Sequence, residues 1–363
     1  MGFITAFGIY SAVPVLVGFR QVGVPNKYIC LIISSFVVLA ISGCAVTTEM
    51  SYPLIGKIVR AAEQSPISEA DMHSLIATAD VVYLGEIHDN PWHHELQLEI
   101  VRRLVESGAR PAIGFEFFDT GQTGDLISFT QPVAHEDSSS RSSSKAKRLL
   151  RRRLGWGKQR DDEWAAYSPI IDYARHNRLA IFGTDLPAGI RRRITRTGIA
   201  QLSPVERRLI VDTGFHNDAY RKLMHKTFTQ SHCGWNDPKL LDNLYQVWLA
   251  RNDSMATAIT DMLTSTTNRP VVMIVGTGHT RYNMGIYERI ASLMPSAHQV
   301  NIGFKPVQDA TKPLVDYFET ESVDDSVFSP IHDFIWFTAA VKKDDPCAQF
   351  KDQLKTPPVT QSE

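Results

Sequence analysis

Between residues 81 and 100 the chain reads VVYLGEIHDNPWHHELQLEI. An apolar run closes at Gly85, and Glu86, His88 and Asp89 follow at once. Glu86 and His88 are two residues apart, so on an extended backbone their side chains face the same way. His88 there can serve as a general base, or can join a metal in activating water. Further groups of the same kind recur downstream at the ends of other apolar runs. They are Glu116 and Asp119 in GFEFFD, Asp185 in FGTDLP, and His279, Arg281 and Tyr282 in GTGHTRY. Gly85, Gly276 and Gly278 leave room for backbone to approach a ligand. Any one of these residues could be a helix cap or a surface group. Taken together they describe a site.

The elements that must position them follow from the pattern. Strands are expected at VVYLG from 81, PAIGFEF from 111, LAIFGT from 179, VVMIVG from 271, HQVNIGF from 298 and FIWFTAA from 334. Several are continuous apolar runs, as strands buried on both faces of a mostly parallel sheet require. Helical patterns lie between them. NPWHHELQLEIVRRLVESG offers Asn90 as cap, Pro91 in the first turn, Gly108 as stop, and a stripe of Trp92, Leu96, Ile100 and Leu104. The alternation predicts an α/β fold, a mostly parallel sheet flanked by helices. In such sheets ligands sit beyond the carboxyl ends of the strands, which is where the acids and imidazoles gather.

Residues 186–263 read as a smaller inserted helical lobe. Its last helix carries Leu244, Val247, Met255, Ala258 and Met262 on one stripe, with Arg251 among them. A guanidinium on a buried face needs an anion to offset its desolvation, such as Glu86, Glu116 or a ligand carboxylate. Alternatively, Arg251 reaches water along its stem. Residues 138–160, SSSRSSSKAKRLLRRRLGWGKQR, hold nine Lys or Arg and no acid. They read either as a solvated, disordered insertion or as a basic amphipathic patch lying on anionic lipid, with Leu149, Leu150, Leu154 and Trp156 interleaved.

The 363 residues suffice for one large domain or two small ones, and 43% apolar with 21% charged content is globular. A formal net charge of −1 gives no overall pull toward nucleic acid, so electrostatic function must be local. Residues 1–43 read as a signal-peptide region, with Lys27 before an apolar core and ISGC at its end. ISGC resembles a bacterial lipobox, which would leave Cys44 lipidated; a membrane-spanning helix is the alternative. The further apolar piece at 1–22 suggests a true start near Val22 or Val24. A polar linker (44–70), a domain (71–341) and a flexible tail (342–363) would follow. Cys233 and Cys347 either bridge or stand as unrelated thiols. No Cys-x-x-Cys pair or Cys-x-x-Cys-His is present, which argues against a zinc knot and excludes covalent haem.

GEIHDNPWHHELQ, GFEFFD, DLPAGIRRRITR, ARNDSMA and GTGHTRYNMGI, in that order over residues 70–305, resemble the ChaN family of haem-binding lipoproteins. Its superfamily includes the Tiki proteases and erythromycin esterases. Two Gly-x-x-His motifs (Gly85–His88, Gly276–His279), Glu86, Glu116 and Arg251 match the superfamily's site pattern, and the basic segment has no counterpart there. The resemblance implies a lipoprotein anchored in the cell envelope, favouring the outer membrane, that binds haem non-covalently for iron uptake. It also implies a tyrosinate on ferric iron, a homodimer enclosing paired haems, and an outer-membrane haem receptor as partner. Tyr220, near His216, His225 and Trp235, and Tyr282, beside the strand ends, are the candidate ligands. Two other readings stand beside it: a hydrolase built on Glu86, His88, Glu116 and His279, and a lipid-anchored domain that only docks a receptor.

Overall fold

Six of the apolar runs lie side by side as parallel strands in one sheet of eight. The computed structural model describes residues 52–132, 140–342, 345, 347 and 348. The proposed signal region, Cys44 and most of the tail lie outside the described residues. The strands of the sheet are β1 (Ile58–Arg60), β2 (Ser65–Ile67), β3 (Val81–Glu86), β4 (Ala112–Asp119) and β5 (Ile181–Asp185). They continue with β6 (Val271–Gly276), β7 (Gln299–Val307) and β10 (Phe334–Ala339). A separate antiparallel pair is formed by β8 (Glu321–Val323) and β9 (Ser326–Phe328).

The order across the large sheet is β2-β1-β10-β7-β3-β6-β4-β5, parallel from β10 to β5. β1 runs antiparallel to β10, and β2 antiparallel to β1. The expected α/β class and mostly parallel sheet are what the chain forms. One part of the linker expectation is corrected: residues 58–67 are not a polar spacer but the two strands that close this edge. Ile58 and Val59 are buried there, and runs of three residues are too short to stand out by periodicity.

The helices are α1 (Glu69–Ala77), α2 (Pro91–Glu106), α3 (Thr123–Thr130), α4 (Ser140–Arg153) and α5 (Asp161–His176). After them come α6 (Ala188–Thr197), α7 (Pro204–Arg207), α8 (Asp218–Ser231), α9 (Pro238–Ser265) and α10 (Ile286–Leu293). Alternate residues of β3 serve opposite faces, as the two-residue period demands. Val82 and Leu84 pack with Ile100 and Leu104 of α2 and Ile171 of α5. Val81 and Tyr83 pack with Met255 and Ile259 of α9 and Ile290 of α10. Burial on both faces explains why these strands are apolar at every position.

α2 begins as expected, with the Asn90 side chain accepting from Trp92 N at 3.1 Å and Pro91 in the first turn. Its buried face differs. Trp92 is 47% exposed, while His93, His94, Gln97, Ile100, Val101 and Leu104 face inward. The polar members of that face have partners at the strand ends, so they need not be apolar.

The basic segment is corrected more strongly. It is not a solvated, disordered insertion, and three of its four interleaved apolar residues are not free for lipid: α4 turns Leu150 into the main core, followed by Leu154 and Trp156. Trp156 packs against Phe118 with ring centroids 5.1 Å apart. The lobe at 186–263 is mainly helical, with an irregular stretch at 208–217. It is only partly separate: the first half of α9 packs on α8 through Tyr220, Leu241 and Tyr245, and its second half lies on the sheet. Cys233 and Cys347 are disulfide-bonded.

Candidate functional site

At the carboxyl end of β3 the chain turns from sheet into the loop before α2, and Glu86 is left 1% exposed. Burying a carboxylate is costly unless hydrogen bonds and charge replace its water. Glu86 Oε1 accepts from the Tyr167 hydroxyl and stands 3.0 Å from His88 Nδ1; Oε2 accepts from Gln97 Nε2 at 2.6 Å. His94 Nδ1 is 3.2 Å from Oε2, and its Nε2 is 2.9 Å from the His88 carbonyl. Both His94 nitrogens therefore face acceptors, which suits an imidazolium. Burial works against charging His94, but Glu86 outweighs it and raises its pKa. Burial would likewise raise Glu86, yet the bonds from His88, His94 and Tyr167 bring it down to about 2.

His88 is the member of this group that meets solvent, with half of its side chain exposed. Burial would lower its pKa, but the Glu86 bond and the Glu116 charge outweigh that and raise it. Its ring stands edge-on to Phe117 and lies over Gly276, where a Cβ would come within 2.7 Å of Cε1. A side chain at 276 would therefore collide with the imidazole. The same added Cβ would sit 3.2 Å from Glu116 Oε2, so Gly276 is where the two halves of the site meet.

Glu116 on β4 anchors the second half. Its Oε2 accepts from Gly276 N at 2.6 Å, and its Oε1 from Arg251 Nη2 at 2.8 Å. Arg251 also reaches Asp185 at the end of β5, with Nε 3.1 Å from each oxygen. Glu116 and Asp185 are thus the anions that the Arg251 stripe required; Glu86 is engaged elsewhere. Arg191 of α6 adds a contact to Asp185 at 2.7 Å. Burial would raise Glu116, but His279, Arg251 and His88 hold it well below the usual carboxylate range. Burial pushes His279 down, the Glu116 charge opposes that and Arg251 adds to it, so of these neighbours the guanidinium is the one that stays charged beside Glu116. His279 Nε2 stands 3.4 Å from Glu116 Oε1, its Nδ1 is 2.7 Å from Asn252 Oδ1, and its ring stacks on Trp248 at 3.9 Å.

Glu86, His88, Glu116, Arg251 and His279 are therefore brought together where β3, β4 and β6 end. Beside His88 opens a cleft of about 650 Å³. Its lining is mostly apolar surface, with Pro91, Leu98, Ala165, Ala166 and Pro169 among its members, and Asp89, Glu95, Asp162 and Glu163 are its acidic members. Among the described residues, no three of His, Cys, Asp and Glu are grouped as a metal centre would need. Nor is any described helix long and apolar enough to cross a membrane.

The other candidates lie elsewhere. Tyr220, expected as the haem ligand, is 3% exposed, and its hydroxyl accepts from Trp248 Nε1 at 3.0 Å. Burial pushes its ionisation up, so the phenol is neither accessible nor readily deprotonated. Tyr220 instead packs α8 against α9, so no open face of it is offered to a ligand here. His225 faces Asp242 at 3.6 Å, and burial lowers its pKa. Tyr282 is half-buried at φ 60°, between Phe328 and Arg281, whose Nη2 is 3.4 Å from its hydroxyl. Sequence reasoning missed His94, Gln97, Tyr167, Trp248 and Asn252. The only signal was the polar pair at 94 and 97 inside an otherwise amphipathic helix.

A sequence model of the family described as haem-binding uptake, Tiki superfamily, ChaN matches residues 72–290, more than half of the chain. Among solved structures, the haem-bound ChaN of Campylobacter jejuni is similar at a TM-score of 0.54 and 20% identity, covering 77% of this chain and 95% of that one. At that identity the likeness concerns the fold. An erythromycin esterase mutant aligns more loosely, at a TM-score of 0.40 and 13% identity over 78% of this chain and 82% of its own. The Arabidopsis thaliana chloroplast protein RETICULATA-RELATED 5 is 23% identical over 283 residues, 73% of this chain. The chain spans 35% of that relative's length.

Proposed function

Because the chain belongs to the haem-binding uptake family of the Tiki superfamily, ChaN, we propose that it binds haem non-covalently as cargo. The family match over residues 72–290 carries this reading. A porphyrin needs a slot with an apolar wall and an axial donor beside it. The cleft next to His88 supports this with a mostly apolar lining that includes Pro91, Leu98 and Pro169, and with a half-exposed imidazole. We assign the axial contact to His88, with Tyr282 as the alternative donor; burial raises the ionisation of its hydroxyl, and the Arg281 guanidinium beside it offsets only part of that. An imidazolium cannot ligate iron, so the raised pKa of His88 makes haem affinity increase as pH rises through that raised value, above 6.5. Around this site we place the rest of the proposal: lipid on Cys44 holding the chain to a bacterial envelope membrane, two protomers enclosing a haem pair, and delivery of haem to or from an outer-membrane receptor for iron uptake.

One observation favours a second reading. Glu86 orients an exposed imidazole toward a cleft, while Arg251 and Glu116 sit just behind, a layout that also suits base-catalysed hydrolysis of an ester or peptide. Haemin titration separates the two. Under the first reading the Soret band shifts at submicromolar haemin, and His88→Ala weakens binding more than Tyr220→Phe. A high-spin ferric spectrum lost in Tyr282→Phe transfers the ligand to Tyr282. No Soret shift, together with hydrolysis abolished by His88→Ala and indifferent to haem, replaces haem binding with the hydrolase.

A further inference from the structure

The cations of the basic segment are sorted by where α4 turns them. Those on its flanks are neutralised by neighbours: Lys147 pairs with Asp172, Arg151 with Asp161, and Arg153 with Asp125 at 2.9 Å. Leu150 on the inner face is in the core, as are Leu154 and Trp156 just beyond the helix. The outer face is different. Lys145, Arg148, Leu149 and Arg152 follow the i, i+3, i+4, i+7 spacing of one helical stripe, and all four are exposed. Among the described residues, none of these three cations has a carboxylate partner. Leu149, 39% exposed, sits between them. A chain with a formal net charge of −1 thus concentrates unspent positive charge on one ridge of a helix whose inner face is buried in the core.

We propose that this ridge docks on an anionic phospholipid surface. Phosphate headgroups supply the charge that Lys145, Arg148 and Arg152 lack, and Leu149 enters the boundary between headgroups and acyl chains, as the apolar residues of interfacial helices do. The stripe carries no aromatic side chain on which bases would stack, which favours lipid over single-stranded nucleic acid. Because Leu150, Leu154 and Trp156 are already buried, binding needs no unfolding of α4. The contact is shallow and electrostatic, and it fades with salt. It is also independent of any lipid on Cys44: an anchor would hold the chain to neutral and anionic bilayers alike, whereas this ridge distinguishes them.

Lysine acetylation read by mass spectrometry tests this on the full chain, bound to vesicles of phosphatidylcholine alone or mixed with phosphatidylglycerol. The exposed Lys239 on α9 serves as the reference. Lys145 should react several-fold more slowly on the anionic vesicles, with Lys239 unchanged and the protection lost in high salt. Each cation contributes about fivefold in affinity, so Arg148→Glu/Arg152→Glu should remove the protection while Arg148→Lys/Arg152→Lys keeps it. Equal Lys145 reactivity on the two vesicles overturns the proposal, and this comparison needs no variant to fold. Protection by a single-stranded oligonucleotide and not by anionic vesicles overturns it in favour of nucleic acid.

Discussion

Arg251 ties two strands, β4 and β5, together through two carboxylates that are almost wholly buried, Glu116 at 5% and Asp185 at 1% side-chain exposure. Removing the guanidinium leaves Glu116 without its arginine and Asp185 with Arg191 alone, and breaking such a buried pair costs about 3–5 kcal/mol. Arg251→Ala should lower the urea midpoint accordingly, with Arg251→Lys intermediate because an ammonium cannot fork between two acids. A loss well below ~1 kcal/mol, typical of a solvated ion pair, would show that water already compensates the site. His88 provides the second test at this scale. Its pKa is raised above 6.5 because Glu86 and Glu116 outweigh its burial. NMR titration of its ring should place it above 6.5, and Glu86→Gln should bring it down. A His88 pKa indifferent to that substitution would mean that Glu86 does not govern the imidazole.

The element that most changes how the molecule is understood is α4 with the turn after it. Trp156 and Leu154 complete the core next to Phe118 and Trp164, so the basic insertion belongs to the fold rather than hanging from it. Trp156→Ala should destabilise the protein by about 3–5 kcal/mol, the range for deleting a buried large aromatic. A disordered insertion would give a change within error. Thermal melts of the two proteins decide between these. The same element explains why Lys147 and Arg151 lie near the Trp164 ring: their stems cover apolar surface while their heads pair with Asp172 and Asp161.

For the whole molecule, buried ionisable groups set the pH at which folding is strongest. His88 and His94 have raised pKa values, so their stabilisation is full below 6.5 and is lost as pH rises through the raised values. His279 and His332 are buried and lowered, the latter to about 3. Below pH 6.5 only the unfolded chain can protonate them, so they reduce stability as pH falls. Glu86, at about 2, and Glu116, also lowered, contribute stability above 4.5 that is lost as pH falls through that range. Glu288, raised to about 7 by burial, works the other way between 4.5 and 7, where only the unfolded chain ionises it. With two lowered histidines against that one carboxyl, the urea midpoint should peak near pH 6.5, decline above it, and drop most steeply below 4.5. A maximum in strong acid, or a flat profile, would contradict the assignment of charges at the strand ends.

The α/β class and the six long strands were legible in the sequence, because burial on both faces writes itself locally as an unbroken apolar run. The strand ends bearing Glu86, Glu116, Asp185 and His279 were legible for the same reason: polarity returns where the sheet stops. What settles each group's chemistry was not. Tyr167 closes on Glu86 from 81 positions away, and Asn252 meets His279 across 27. No local period encodes either contact, since both depend on how α5 and α9 lie on the sheet. Tertiary packing also decided that Tyr220 is buried beneath Trp248 rather than offered to a ligand, and that Leu154 and Trp156 among the arginines are core. Composition fixes which side chains carry charge or apolar surface; only the packed structure decides which of them are kept from water.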